Sequence, residues 1–185
     1  MVTSWFLRSN TVTLDVMDIS SGLRVDVVIE LVNEYSTIAR NAAGESHVPP
    51  RLPRDMARFT VPAAEFTRIS DVLYPVFSAR SQSASIVILN AILLGELCIP
   101  QLDPDLPSSP LRWRAGGSGR AGLLGLCGVG LLEAANSGHR FGLCTATGCA
   151  DVYVDSGRGR TRRFCSVLCQ NRTQVAQFRA RQSSH

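Results

Sequence analysis

Six cysteines are the residues of this 185-residue chain best suited to chemistry. Four of them form two close pairs: four residues separate Cys144 from Cys149, three separate Cys165 from Cys169, and fifteen lie between the pairs. A tetrahedral zinc site takes four soft donors, usually as two close pairs, because each short loop turns two sulfurs toward one point. The spacing therefore predicts one Zn2+ ion held by Cys144, Cys149, Cys165 and Cys169.

Four cysteine ligands leave no open position for water, so the predicted ion is structural rather than catalytic. The segment around the cysteines has few apolar residues, and we expect it to need the metal in order to fold. Two alternatives stay open at this stage. One is a Cys3His site that uses His139, and the other is four unrelated thiols in a basic tail.

The residues between and after the cysteine pairs predict the elements that position the ligands. Val152 and Val154 alternate with polar residues as in a strand, a turn follows at 156–159, and residues 160–164 are expected to return as a second strand. A helix is predicted from Cys165 to about Arg181, which places the second cysteine pair on one face of its first turns. A knuckle, a hairpin and a helix-borne ligand pair are the outline of a treble-clef zinc finger.

The basic residues are all arginines and are distributed unevenly. Residues 138–185 contain eight arginines against Asp151 and Asp155, a net charge of +6, whereas residues 1–137 carry eleven arginines against thirteen acidic residues, a net charge of −2. A basic segment attached to a mildly acidic body is typical of a polyanion-binding appendage. The candidate nucleic-acid contacts are Arg158, Arg160, Arg162, Arg163, Arg172 and Arg179.

The C-terminal segment resembles the CGNR zinc-finger family. The similarity rests on the cysteine pairs, on Asp151 to Ser156 after the first pair, on Arg162 to Ser166, and on the run Cys169-Gln170-Asn171-Arg172. It covers about the last 45 residues, and the chain departs from the family at Gln170, where glycine is expected, and at Phe164, where tryptophan is common. Asn171 and Arg172 could contact nucleic acid or brace the knuckle, and the sequence leaves both open.

The resemblance also implies an N-terminal domain and a function. CGNR fingers typically follow a helical ABATE domain, described as a stress-induced transcription regulator, and residues 21–33 and 88–91 are similar to the opening and middle helix of that domain. We therefore expect domains at 1–137 and 138–185. The implied function is transcription regulation, with the finger on DNA and the body sensing a signal or forming a homodimer; the small-molecule effector is unknown.

Periodicity predicts a mainly helical body, with a short strand or hairpin near Val12 to Val16. Helical spacing predicts a first helix over 27–39, a second over 62–80 and a third over 85–98. The third is apolar almost all round and is expected to be the buried centre, ended by Pro100. A loop with a brief strand near 111–114 precedes a fourth apolar helix over 121–135.

Several function classes are excluded or disfavoured by what the sequence lacks. No lysine is present, which excludes the P-loop, kinase-type and Schiff-base chemistries that need one. We find no paired carboxylates, HExxH motif or Rossmann fingerprint, so we predict that the protein is not an enzyme. No secretory signal or membrane-spanning run is found, which predicts a cytoplasmic protein without membrane contact. Cys98 and Cys127 lie in apolar surroundings and are expected to be inert core thiols.

The sequence thus predicts a zinc-dependent DNA-binding regulator. The alternative is a zinc-stabilised module that uses its arginines to bind a protein or an RNA, without sequence-specific DNA binding.

Overall fold

The computed structural model describes residues 16–19, 21–45, 61–102, 111–116, 119–159 and 161–182. Residues 12–15 of the predicted strand or hairpin and the candidate nucleic-acid contact Arg160 lie outside this part of the chain. Within it, the helices are α1 (Val25–Tyr35), α2 (Thr37–Ala43), α3 (Ala63–Ser78), α4 (Gln82–Gly95), α5 (Arg120–Asn136) and α6 (Val167–Gln182). The strands are β1 (Val16–Ile19), β2 (Ile99–Leu102), β3 (Leu111–Gly116), β4 (Arg140–Leu143) and β5 (Val152–Asp155).

The predicted first helix is two helices. Ser36 breaks it: its backbone is extended, and its hydroxyl accepts a hydrogen bond from the backbone N–H of Ile38 at 3.3 Å, so it begins α2 as an N-cap. Gly44 ends α2 with a positive φ of 75°. Periodicity did not reveal the break because the apolar positions continue in phase through Ser36.

Helix α3 confirms its predicted apolar stripe. Phe66, Ile69, Leu73 and Phe77 are all buried in the main core. Pro62 is the N-cap of this helix rather than its first residue. The stripe places α3 between α1, α4 and the strands that carry the first cysteine pair.

The prediction that α4 is the buried centre is wrong. Only Ser85, Leu89 and Leu93 of α4 are buried, and Val87 and Leu94 remain 68% and 75% exposed. Helix α5 is the central one, because its glycines let neighbours approach from several sides. A Cβ at Gly128 would lie 2.9 Å from the Leu93 side chain, which shows how closely α4 lies against α5.

Two small antiparallel sheets complete the described part of the fold. The first has the order β1-β3-β2, and its middle strand confirms the brief strand predicted near 111–114. Pro100 lies within β2 and does not end the third helix, which stops at Gly95. The second sheet pairs β4 with β5, with Phe141 opposite Val154 and Leu143 opposite Val152.

The β4–β5 hairpin belongs to the main hydrophobic core. Val152 and Val154 are buried in the same cluster as the residues of α1, α3 and α5, and Phe141 contacts Phe77 edge-on with ring centroids 5.5 Å apart. The fold is therefore mainly helical, as predicted, with the hairpin built into its core. None of the helices in the described ranges is long and apolar enough to cross a membrane.

Candidate metal centre

The first cysteine pair lies in the turn that joins β4 to β5. The backbone N–H of Cys144 donates to the carbonyl of Asp151 at 2.9 Å, which extends the strand ladder to the first ligand. The N–H of Cys149 donates to the carbonyl of Ala146 at 3.1 Å, and Gly148 takes a positive φ of 70° to close the turn. The hairpin thus turns both sulfurs to one side.

The second pair lies at the start of α6. The hydroxyl of Ser166 accepts a hydrogen bond from the N–H of Cys169 at 3.3 Å, which caps the helix. Cys165 precedes the first turn and Cys169 lies within it, so their sulfurs approach to 3.5 Å. Cys169 is the buried residue of α6.

The four cysteines meet in one cluster. Their sulfur atoms all lie within 4.8 Å of one another, and the Sγ atoms of Cys149 and Cys165 are 3.7 Å apart. Zn–S bonds of about 2.3 Å in a tetrahedron place sulfurs about 3.8 Å apart, so the residues fit a single zinc ion. All four ligands are cysteines, which excludes the Cys3His alternative with His139.

The ionisation of the thiols explains why the cluster needs a cation. Burial raises the pKa of Cys149 to about 12. Burial also raises the pKa of Cys165 above its usual value. Burial also acts on Cys144, but backbone hydrogen bonds, that with Cys165 first, lower its pKa below the usual value. Crowded sulfurs resist joint ionisation, and a dication supplies the compensating charge as it displaces their protons.

The two remaining cysteines lie outside the cluster and have no second sulfur beside them. Burial raises the pKa of Cys98 to about 11 and that of Cys127 to about 12. They are core thiols, as expected.

The family comparison agrees with this geometry. Residues 140–182, from the first residue of β4 to the last of α6, match the model of the CGNR zinc finger. The chain carries a CGNR zinc finger. It holds one structural zinc site with four cysteine ligands. A search of curated proteins found no match to the chain.

The linker between the two halves of the CGNR finger is the segment between β5 and Cys165. The second strand predicted at 160–164 is not found in its described residues. Residues 161–164 have no regular secondary structure, and β5 pairs with β4 instead. The carboxylate of Asp155 holds the linker in place of strand pairing. It accepts hydrogen bonds from the N–H of Gly157 at 2.9 Å and from the N–H of Arg162 at 3.1 Å. These two hydrogen bonds lower the pKa of Asp155.

Arg162 fastens this linker. Its guanidinium donates to the carbonyls of Val154 at 3.1 Å and Phe164 at 2.9 Å, and also to that of Cys165. It lies 5.1 Å from the centre of the Tyr153 ring, whose hydroxyl donates to the carbonyl of Arg162 at 2.6 Å. Arg162 therefore links β5 to the loop that carries the second cysteine pair.

The other candidate arginines occupy different parts of the finger. Arg158 and Arg163 are exposed on the linker, and Arg172 and Arg179 are exposed on α6. One Nη of Arg172 lies 3.6 Å from the sulfur of Cys169, where its charge offsets that of zinc-bound thiolates. This contact favours the bracing alternative for Arg172, whereas Asn171 is exposed on α6.

Three residues that the cysteine pattern does not predict also hold the centre. Thr145 joins the two halves, with its N–H and hydroxyl both donating to the carbonyl of Arg163 at 2.9 and 3.0 Å. The hydroxyl of Tyr74 on α3 donates to the carbonyl of Ala150 at 2.8 Å. Asn33 on α1 pairs with Val152 through both backbone groups, at 2.7 and 3.2 Å. Helical spacing gave no signal for Asn33, which lies off the apolar stripe of α1 formed by Val27, Val28, Leu31, Val32 and Tyr35.

Proposed function

We propose that this protein is a DNA-binding transcription regulator whose CGNR finger contacts DNA through arginines. The observation that carries the proposal is the charge of the finger surface. Asp155 is buried, and its carboxylate accepts hydrogen bonds from the backbone amides of Gly157 and Arg162. Asp151 is half-buried, with its Oδ2 3.3 Å from the Cys165 sulfur. Both acids of the basic segment are thus turned inward, and the charge left on the described surface of the finger is positive.

A rigid positive surface suits duplex DNA, because protein arginines displace the counterions condensed on its phosphates. The zinc site and the Arg162 hydrogen bonds fix the linker and α6 in one arrangement. If about five arginines contact phosphates, the observed binding constant falls with salt at a log–log slope of about −4 to −5.

The remaining assignments belong to the same proposal. The order of a ligand knuckle followed by a helix-borne ligand pair supports placing the finger in the treble-clef group. We assign the body, residues 1–137, to an ABATE-like domain that senses a signal or forms a homodimer, and the protein to the non-enzymatic regulators of the cytoplasm. The assignment of the body rests on the similarity of residues 21–33 and 88–91 to that domain.

The test is duplex binding at low salt, measured by fluorescence anisotropy. Arg163→Gln combined with Arg179→Gln is expected to reduce the magnitude of the salt slope by about 2. Arg24→Gln combined with Arg68→Gln, which removes the same charge from exposed positions of the body, is the matched control and should leave the slope unchanged. Arg162 is not substituted, because its loss would disturb the linker itself.

Two results would overturn the proposal. One is absence of duplex binding by the zinc-loaded protein at low salt. The other is an equal loss of slope in the body control, which would show a diffuse charge effect without a finger interface.

A second function is favoured by an apolar stripe on α6. Leu168 and Phe178 are 79% and 54% exposed, and Val175 lies on the same face between them. An exposed apolar face is typical of a protein-binding surface. Tighter binding to an acidic protein or to RNA than to duplex DNA at the same salt would favour a zinc-stabilised interaction module.

A further inference from the structure

A cleft separates the cysteine knuckle from α6. Its volume is about 620 Å3, and one wall comes from the knuckle and the linker while the other comes from α6. The polar side chains on its walls include Thr145, Thr147, Arg163, Arg172, Gln174 and Gln177.

The chemistry of this cleft is that of an anion site with neutral polar flanks. No carboxylate lines it among the described residues, and two guanidinium groups reach it from different elements. Hydroxyls and side-chain amides supply further donors. Phosphate and sugar contacts come from arginine with Ser, Thr, Asn and Gln. Seven of the ten lining residues are of these types, and Phe164, Ala176 and Ala180 form the apolar part of the lining.

A second hollow continues the cleft beyond Arg163 and Phe164. It has a volume of about 470 Å3 and is lined by Thr161, Ser166 and Gln170 besides these two residues and their neighbours. Among the residues that the structure describes, its lining contains no carboxylate either. Arg163 therefore lies between two polar hollows, an arrangement that suits an extended chain of phosphates better than one small anion.

We infer that the knuckle–helix cleft seats the sugar–phosphate backbone of one DNA strand, with Arg163 on the phosphates and Thr147, Gln174 and Gln177 on phosphate or sugar oxygens. Arg172 adds positive charge to the cleft from its position beside the Cys169 sulfur. This inference rests on the proposed function and adds to it a defined path for the DNA strand. We call this path through the cleft and the second hollow the track. Under it, Arg163 is a central contact and Arg158, outside both hollows, is peripheral.

The first test places a carboxylate in the track. Gln177→Glu is compared with Gln182→Glu, which makes the same change on the same helix outside the cleft. We expect Gln177→Glu to weaken duplex binding about tenfold more than Gln182→Glu at equal salt, because it sets a negative charge against a phosphate. Zinc content and helix signal should stay at the wild-type level in both variants.

The second test compares two arginines of equal charge. Arg163→Gln should lower the magnitude of the salt slope by about 1, while Arg158→Gln leaves it unchanged.

The outcomes separate this inference from the proposed function. Duplex binding that is weakened equally inside and outside the cleft would overturn the track and leave the DNA-binding function standing. Absence of duplex binding by the wild-type protein would overturn both. Preferential binding of an acidic peptide, weakened by Gln177→Glu, would overturn the track as a DNA site and assign it to a protein.

Discussion

At the scale of single residues, the zinc ligands differ sharply from the other cysteines. Four thiols share one centre, and Cys98 and Cys127 are isolated in the core. We predict that Cys169→Ala loses stoichiometric zinc and much of the α6 helix signal, because the helix has lost its buried anchor. Cys98→Ala is the control and should retain one zinc ion per chain by elemental analysis. Equal zinc contents in the two variants would contradict the assignment.

The linker makes a pH-dependent prediction at the same scale. The pKa of Asp155 is lowered because the carboxylate accepts from the Gly157 and Arg162 amides, so its stabilising effect is present above its ordinary pKa of 3.8. That effect is lost as the pH falls through the lowered value. The wild type should therefore be more stable than Asp155→Asn at pH 7, and the difference in unfolding free energy should shrink below pH 4 or so. Urea unfolding at several pH values measures this difference in unfolding free energy. A difference that does not change with pH would refute the stabilising role of the Asp155 carboxylate.

At the scale of elements, α5 depends on one close backbone approach. A Cβ at Gly130 would lie 2.0 Å from the carbonyl oxygen of Leu23, whose N–H bonds the carbonyl of Leu126. Because a backbone atom cannot move aside cheaply, Gly130→Ala should lower stability by about 3 kcal/mol.

The matched control for that substitution lies in α4. Gly95 ends α4 with open space around it, so Gly95→Ala should raise stability by about 0.5 kcal/mol or leave it unchanged. Thermal and urea unfolding measure both variants. A loss at Gly130 no larger than the change at Gly95 would show that the helix can shift away from Leu23.

At the scale of the whole molecule, the finger and the helical body are physically joined. Asn33 binds both backbone groups of Val152, and Tyr74 binds the carbonyl of Ala150 between the first cysteine pair and β5. Asn33→Ala leaves these backbone groups without their partner and should cost about 2–3 kcal/mol. It should also weaken zinc retention against a chelator, since the hairpin that holds Cys144 and Cys149 loses its support.

Asn90→Ala, at an exposed position of α4, is the control for this coupling. It should change stability by no more than about 0.5 kcal/mol and leave zinc retention intact. If Asn33→Ala lowers stability without any effect on zinc retention, the body and the metal centre are not coupled through this contact.

The sequence by itself determined the ligands, the metal and the helical stripes. Cysteine spacing defines a zinc site because only short loops can turn two sulfurs to one point, and the stripe of α3 follows from its apolar period. Only the tertiary structure decided which strand pairs with β5, which helix is central and which polar residues brace the knuckle. These features depend on contacts between residues far apart in the chain, such as Asn33 with Val152 and Gly130 with Leu23. A local sequence pattern does not specify such contacts, because they form only when the elements pack together.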